Sequence, residues 1–417
     1  MNLASAVGLM ILSIPSALSA QTAPVITYYV ASSGSDSNPG TAVWPFRTLQ
    51  RGVDHAKAGD TIIVRDGTYG PETTGHNSHP VNINSAGTPV ARIILKAEHR
   101  GAAILDCELT CHSYINFQRG AAYWTIQGFD IRNGYWAGIW ANSGGARNIL
   151  ITGNHVHHIG NRVDSTQIGI TGIFTDSAAR NFVIDGNTIN DIGRTNRYTN
   201  SFDHGIYSHG HLVIVNNVFY NALNGWHIQT AVGFSGVIVN NTFVGPNQYG
   251  TAGQIMLWGD NDSLVVRNNI FFNPKGYALT TFATTQRGCS IDNNIVFNSR
   301  GSVSLIASLP SGCTESNNRL NLDPLFVNPL TPPYDFHLRP ESPAVKSAIT
   351  VPSVTHDNDG TPRPQGLAYD VGAFAYRPLS PAVSPPSTLT LGAGHWPRSG
   401  LPRTDLCTYP FSPCHGF

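Results

Sequence analysis

The residues of this 417-residue chain that are best suited to chemistry lie close together in the sequence. They are one carboxylate, one phenol and three imidazoles: Asp203, Tyr207, His204, His209 and His227. Histidine and tyrosine can remove a proton from carbon and deliver one to a leaving oxygen, because their surroundings can shift their pKa values toward neutrality. We therefore predict that these five residues carry acid–base catalysis. A single histidine is more often an ordinary surface or turn residue, so the prediction rests on the cluster.

The stretch that carries most of these residues also belongs to a repeat. Six strand-like segments each end in a polar pair whose last residue is asparagine: ILITGN, FVIDGN, LVIVNN, GVIVNN, LVVRNN and CSIDNN. The final asparagines, at 154, 187, 217, 241, 269 and 294, are separated by 33, 30, 24, 28 and 25 residues. A shared minimum with a variable excess is typical of a solenoid whose coils carry loops. We predict an all-β parallel β-helix in which stacked asparagines bond along the axis.

A second series of short strands, between the asparagine pairs, should position the chemistry. Its members align on an inward apolar residue: Ile139, Ile173, Ile206, Ile228, Ile255 and Leu279. Side chains alternate along a strand, so the next residues should face outward: Trp140, Phe174, Tyr207, Gln229, Met256 and Thr280. The preceding residues are also predicted to face outward: Gly138, Gly172, Gly205, His227, Gln254 and Ala278. A third outward column, two residues beyond the first, contains Asp176 and His209.

The two longest insertions between repeats, 160–169 and 193–202, both lead into this outer face. Loops gathered on one side of a solenoid commonly form the wall of a binding site. We therefore predict that loop and outward-column residues bind the substrate: Arg194, Arg197, Gln229, Trp140, Phe174 and Asp176.

The ends of the chain carry a family resemblance. Apolar residues at helical spacing in 45–58, ahead of the strand AGDTIIV, predict a short N-terminal capping helix. The segments GSDSNPGT, PFRTLQ and AGDTIIVRDGTY, with the segment after residue 323, resemble secreted right-handed parallel β-helix proteins. That pectate-lyase-like superfamily includes pectate, alginate and chondroitin lyases. The resemblance covers roughly residues 27–376, implies a C-terminal closing segment over the last coil, and is not specific for a substrate.

The resemblance implies a polysaccharide-active enzyme. The residues favour a lyase or C5-epimerase that acts on an acidic, uronate-containing polysaccharide through His/Tyr acid–base chemistry. The C5 proton of a uronate residue becomes acidic when the neighbouring carboxylate is neutralised. Gln229, Arg194 and Arg197 are the candidates for neutralising that carboxylate. Many members of the superfamily use a lysine or arginine base beside calcium. The coils 111–322 hold one lysine, Lys275, far from the histidines, and no acidic cluster, so we predict no metal residues and leave the cofactor open.

Two other functions remain open from the sequence. A glycoside hydrolase needs two carboxylates about 5–10 Å apart on the outer face, and Asp176 with Asp203 is the available pair. A non-catalytic carbohydrate-binding protein would stack sugar rings on an aromatic platform formed by Trp136, Trp140, Phe174 and Tyr207.

A second group of histidines, His155, His157 and His158, is interpreted as structural. Metal binding there would need a carboxylate or other third ligand in range, and the sequence does not place one.

The composition and the cysteines limit the class of protein and its expected location. Charged residues make up 12% and the formal net charge is zero, which predicts no nucleic-acid partner. Residues 1–20 resemble a secretory signal, and no other apolar run reaches the ~20 residues that span a bilayer. We therefore expect a secreted or periplasmic protein without a membrane span. The cysteines form three close pairs that fit disulfides: Cys107/Cys111, Cys289/Cys313 and Cys407/Cys414.

The predicted organisation has five parts. They are a signal peptide (1–20), an N-terminal cap with the first coils (21–110), the β-helix coils (111–322), a closing segment (323–376) and a Pro/Ser-rich disordered tail (377–417). Because both ends of the helix are covered in this scheme, open-ended stacking of coils is disfavoured and a monomer is expected.

Overall fold

A computed structural model describes residues 24–377 apart from 73, 74, 76, 143, 162–168, 196–201, 246–252, 275, 283, 284, 300–304 and 307. In that part of the chain, three long parallel sheets surround one elongated apolar core. The chain visits the three sheets in turn, and one such circuit is a coil. The predicted all-β, right-handed parallel β-helix is confirmed.

Each sheet takes one strand from successive coils of the described chain. Sheet 1 contains β1 (Thr27–Val30), β2 (Thr61–Val64), β5 (Ile93–Ala97), β8 (Trp124–Gln127), β11 (Leu150–Thr152), β14 (Phe182–Asp185), β17 (His211–Val215), β20 (Ser235–Val239), β23 (Asp262–Arg267), β26 (Thr285–Asp292) and β28 (Ser311–Ser316). Sheet 2 contains β4 (Val81–Ile83), β7 (Ile115–Phe117), β10 (Ala137–Ala141), β13 (Thr171–Thr175), β16 (His204–Ser208), β19 (Ile228–Thr230), β22 (Ile255–Leu257) and β25 (Leu279–Thr281). Sheet 3 contains β3 (Gly67–Tyr69), β6 (Ala103–Asp106), β9 (Asp130–Arg132), β12 (His155–Ile159), β15 (Thr188–Ile192), β18 (Val218–Ala222), β21 (Thr242–Val244), β24 (Ile270–Phe272), β27 (Ile295–Phe297) and β29 (Arg319–Leu320).

The corner between sheets 1 and 3 explains the repeated polar pairs. The first residue of each pair has a positive φ: Gly153, Gly186, Asn216, Asn240, Asn268 and Asn293. Glycine and asparagine adopt this left-handed conformation at least cost. The second residue is a buried asparagine. From Asn187 to Asn294, its Oδ1 accepts from the backbone N–H and the Nδ2 of the asparagine one coil earlier, at 2.9–3.1 Å, and Asn154 Oδ1 accepts from Phe129 N. The predicted ladder is confirmed, and it continues to Asn318.

The N-terminal cap holds helix α1 (Leu49–His55), which is shorter than the apolar spacing suggests. Thr48 is held in an extended conformation, where its backbone N–H donates to Asp36 at 3.0 Å and its hydroxyl caps the helix by accepting from Arg51 N. Val53 and Leu49 are buried against the first coil. Within the described residues, no helix is long and apolar enough to cross a bilayer.

Two of the three predicted disulfides are present. Cys107 bonds to Cys111, and Cys289 bonds to Cys313 across register partners of β26 and β28. The pair Cys407/Cys414 lies outside the described residues, as do the predicted signal peptide and the tail beyond residue 377.

The closing segment begins with an antiparallel hairpin of β30 (Phe326–Asn328) and β31 (Asp335–Leu338). The chain then runs back along the flank of the coils, where the first asparagines of the corner pairs bind it. The Nδ2 of Asn216 donates to His356 O at 2.9 Å, and that of Asn268 to Ile349 O at 2.8 Å. The segment therefore covers the sides of several coils, whereas the family resemblance implied a cover over the last coil.

Candidate active site

The predicted outward column of sheet 2 forms a row of contacting rings. Trp140, Phe174 and Tyr207 are register partners in β10, β13 and β16, and each side chain is half-buried. The rings of Trp140 and Phe174 stack with centroids 4.2 Å apart, and Tyr207 meets Phe174 edge-on at 5.7 Å. Alternation along the strands thus produces a continuous aromatic surface.

Two histidines that were not predicted extend this row toward the N-terminus. The ring of His112 lies 4.5 Å from that of Trp140, and the ring of His79 lies 4.8 Å from His112. His79 also lines a cleft of about 720 Å³ beside helix α1. The sequence carried a weak signal for this coil: SYIN at 113–116 aligns with AGIW at 137–140, and Ile115 pairs with Ile139. We call the six residues His79, His112, Trp140, Phe174, Tyr207 and His209 the aromatic row.

Tyr207 and His209 offer a matched acid and base at the C-terminal end of this row. Their ring centroids are 5.1 Å apart, and both side chains are half-buried. Burial lowers the pKa of His209, against a smaller opposite effect from the charge of Asp176, so the imidazole is neutral at pH 7. Burial raises the pKa of Tyr207, which keeps the phenol protonated. One group can therefore accept a proton while its neighbour donates one.

Asp176 is fixed at the end of β13 by backbone N–H groups. It accepts from Gly144 N at 2.8 Å, from Ala178 N at 3.0 Å and from Ala179 N at 2.9 Å. This carboxylate is a charged neighbour of His209 that favours the imidazolium form.

His204 lies behind Tyr207 and is 3% exposed. Its Nδ1 accepts the backbone N–H of Trp226 at 3.3 Å, which leaves the proton of the neutral ring on Nε2. Burial lowers the pKa of His204 to about 3, so this imidazole stays neutral across the physiological range. Its ring is 5.5 Å from that of Tyr207 and 5.6 Å from that of Trp226, which gives it a supporting position in this structure.

The structure places Asp203 and Arg194 in the interior, contrary to the predicted catalytic and substrate-binding positions. They are 0% and 1% exposed. Arg194 Nη2 lies 2.6 Å from one carboxylate oxygen of Asp203, and Arg194 Nε and backbone N donate to the other at 3.1 and 2.9 Å. Asp203 also accepts from Ile170 N. The pair neutralises itself inside the coil, as buried charges must.

The predicted outward position of His227 is wrong. Its side chain points into the coil, where its ring is 5.9 Å from that of Phe219 and 6.1 Å from that of Phe243, and Nε2 donates to Val244 O at 3.1 Å. The same holds along this column: a Cβ added to Gly138 would meet the interior side chain of Val156 at 2.7 Å. His227, Gln254 and Ala278 precede β19, β22 and β25 and lie in the corner between sheets 3 and 2, where strand alternation does not apply. Gly138 lies within β10, so alternation fails at this position of the strand as well.

Gln229 is half-buried and pairs with Tyr207 in register, so it lies on the same face as predicted. Arg197 lies outside the described residues. Groups of three histidine or carboxylate ligands close enough to share an ion occur twice in the described chain, at Asp130/His155/His157 and at Asp66/Glu98/His99, and neither lies on sheet 2. Among the described residues, sheet 2 thus holds no such group of three histidine or carboxylate ligands.

Two curated relatives match parts of the chain. Pectate lyase PEL9 of Emericella nidulans is 38% identical over 80 residues, which cover 19% of this chain and 18% of that protein. Pectate lyase L of Dickeya chrysanthemi is 27% identical over 130 residues, which cover 31% of this chain and 29% of that protein. The matches thus span less than a third of the length of these relatives.

Two solved structures share the architecture. Pectate lyase Pel9A aligns with a TM-score of 0.51 at 16% identity, covering 84% of this chain and 96% of that chain. The alginate lyase from Paenibacillus sp. str. FPU-7 aligns with a TM-score of 0.51 at 18% identity, covering 65% of this chain and 91% of that chain. At these identities the likeness shows the fold.

The family is shown by the match over the coils themselves. The model of the Pel9A-like, right-handed β-helix region matches residues 28–260, more than half of the chain and all of the aromatic row. The protein is a member of the Pel9A-like right-handed β-helix family.

Proposed function

We propose that this protein is a polysaccharide lyase that cleaves a uronate-containing chain by β-elimination, with His209 as the base and Tyr207 as the acid. The observation that carries the proposal is the pairing of these side chains on the outer face of sheet 2, with pKa values displaced in opposite directions. The matches to pectate lyases add support, since both curated relatives carry that activity in their names.

The reaction balances with these two groups alone. His209 removes the C5 proton beside the substrate carboxylate, and the electron pair forms a C4–C5 double bond as the C4–O bond breaks. Tyr207 gives its phenolic proton to the departing oxygen. Solvent then takes the proton from His209 and returns one to Tyr207, which restores both groups.

The substrate carboxylate needs a partner that stabilises the negative charge developing on it. Gln229 supplies amide N–H donors next to Tyr207 and is assigned this task. Arg194 is excluded from it by its ion pair with Asp203. Arg197 stays a prediction for the same role. A C5-epimerase would use the same base but return a proton to C5 from the opposite face, so the product separates the two reactions.

The other two functions find less support. A hydrolase would lose its proposed carboxylate pair, because Asp203 is fully buried and bound to Arg194. A stacking platform for sugars needs free ring faces, whereas Trp140 and Phe174 cover one another's faces at 4.2 Å. The two disulfides fit an oxidising compartment, and we place the enzyme outside the cytoplasm.

The test compares Tyr207→Phe and His209→Gln with wild type on pectate and alginate, with and without a chelator. Unsaturated products are followed by their ultraviolet absorbance. We expect each variant to lose about 10²–10⁴-fold in kcat, the usual contribution of a general acid or base. Tyr123→Phe, outside the aromatic row, serves as the matched control and should retain activity.

Full activity in both variants would refute the assignment of the site. New reducing ends without unsaturation in wild type would instead identify a hydrolase. Binding of these glycans without any product would identify a carbohydrate-binding protein.

A further inference from the structure

We propose that Asp130, His155 and His157 bind a divalent transition-metal ion on the outer surface of sheet 3, a different surface from the aromatic row of sheet 2. The two histidines alternate to the same side of β12, and Asp130 is the register partner of His155 in the adjacent strand β9. The parallel register between two coils thus supplies the third ligand that the sequence did not place.

The distances between the ligand atoms match those around a small tetrahedral ion. His157 Nε2 lies 3.0 Å from both carboxylate oxygens of Asp130, and His155 Nδ1 lies 3.6 Å from one of them. All three ligand atoms lie within 4.8 Å of one another. Zinc binds nitrogen and oxygen at about 2.0–2.2 Å, so tetrahedral ligand atoms are about 3.3–3.6 Å apart. Small side-chain shifts would close this set around one ion.

The outer nitrogens of both rings already have hydrogen-bond partners. His155 Nε2 lies 2.6 Å from Asn190 Oδ1, and His157 Nδ1 lies 2.6 Å from His158 Nδ1. The orientation of Asn190 is fixed because its Nδ2 donates to Asp191 at 2.5 Å. With the inner nitrogens on the metal, the outer nitrogens carry the protons and donate them. Metal-binding histidines generally have such a partner, which fixes their tautomer and orientation.

Burial makes the site half-enclosed. The side chains of Asp130 and His157 are 16% and 11% exposed, whereas that of His155 is 37% exposed and borders solvent. Two imidazoles and one carboxylate suit zinc, copper, nickel and iron better than calcium or magnesium. Three protein ligands leave a fourth position for water. Because the ligands come from neighbouring coils, the bound ion should also stabilise the helix locally.

The experiment uses the full chain, stripped of metal with a chelator and then dialysed. Zn²⁺ is titrated by calorimetry, and Co²⁺ by its visible absorption. Wild type should bind one equivalent with a tetrahedral cobalt spectrum and show a higher Tm with zinc. His155→Gln and Asp130→Asn should abolish the cobalt spectrum, and Asn190→Ala should weaken zinc binding about 10–100-fold.

The second ligand group of the described chain supplies the matched control. His99 Nδ1 lies 3.0 Å from Asp66, but the group of Asp66, Glu98 and His99 is fully on the exposed surface. His99→Gln should leave zinc affinity and the cobalt spectrum unchanged. Circular dichroism of each variant verifies the fold, and Asn190→Ala tests the site with all three ligands retained.

The absence of stoichiometric zinc binding by wild type would overturn the proposal and leave a structural histidine–carboxylate pair. Equal binding by His155→Gln would overturn it too, because the metal would then lie elsewhere, for example at the tail cysteines. Tyr207→Phe should bind zinc like wild type, so this test is independent of the proposed lyase activity.

Discussion

At the scale of single residues, His227 and Gln254 occupy equivalent positions in successive coils. His227 Nε2 donates to Val244 O at 3.1 Å, and Gln254 Nε2 donates to Phe272 O at the same distance. Burial lowers the pKa of His227 to about 4. Between this value and about 6.5, the unfolded chain binds a proton that the folded chain does not, so stability present above pH 6.5 is lost as the pH falls toward 4.

We expect His227→Gln to keep this hydrogen bond, as Gln254 does, and to remove the pH dependence that His227 causes. The wild-type free energy of unfolding should fall between pH 8 and pH 5 by about 2 kcal/mol more than that of the variant. Urea unfolding at the two pH values measures the difference. His55→Gln, in helix α1, is the control. Identical pH dependence of wild type and His227→Gln would contradict the buried, neutral state of this ring.

The proposed base and acid set the pH profile of activity. The pKa of His209 is lowered by burial, so kcat/KM should rise with pH through a midpoint below the usual ~6.5. The raised pKa of Tyr207 should keep the phenol protonated until above pH ~10, which extends the plateau into the alkaline range. Initial rates of ultraviolet-absorbing product between pH 4 and 11 measure both limbs. A fall in kcat/KM between pH 7 and 9 would contradict these roles.

At the scale of elements, the asparagine ladder concentrates buried polar groups at one corner of the successive coils from Asn154 to Asn318. Asn241 Oδ1 accepts from the backbone N and Nδ2 of Asn217, and its own Nδ2 donates to Ile214 O and Val239 O. Asn241→Ala leaves several of these buried groups without a partner, at about 1–3 kcal/mol each. We expect a loss of about 2–5 kcal/mol in the free energy of unfolding, measured by urea denaturation.

The control for this ladder variant is Asn142→Ala. Asn142 is exposed beside β10, so this substitution should change the free energy of unfolding by less than about 0.5 kcal/mol. A loss below about 1 kcal/mol in Asn241→Ala would show that the ladder contributes little.

The elements also show where local patterns are reliable. Strand alternation correctly placed Ile206 inside and Tyr207 outside, because both lie within β16. It failed for His227, which precedes β19 and lies in the corner. The other corner, between sheets 1 and 3, was readable as a glycine or asparagine before each ladder asparagine, since few residues adopt a positive φ easily.

At the scale of the whole molecule, each coil packs mainly against its two neighbours, so a local change should have a mainly local effect. The Cys289–Cys313 disulfide joins two coils near the C-terminal end of the described helix. We expect Cys289→Ser with Cys313→Ser to destabilise these coils by about 3 kcal/mol, the usual contribution for a loop of this length. Amide hydrogen exchange should accelerate in β26–β28 and stay unchanged in β10–β13.

The Cys107–Cys111 disulfide supplies the matched control. Its two cysteines are only four residues apart in the sequence, so it should contribute less to the free energy of unfolding. Equal acceleration of exchange along the whole helix in the Cys289→Ser/Cys313→Ser variant would contradict the local model of stability.

The sequence by itself determined the coil, the asparagine ladder, two disulfides and the outward row through Trp140, Phe174 and Tyr207. Those features repeat with the chain, so spacing and strand alternation are enough to find them. Only the tertiary structure decided that Asp203 and Arg194 neutralise each other inside the coil, and that Asp130 lies opposite His155. The physical reason is that Asp130 and His155 lie in different coils, and that Arg194 and Asp203 lie on either side of the loop that leads into β16. Whether such residues come into contact depends on the number of residues in the corners and loops of each coil, and no local sequence pattern encodes that number.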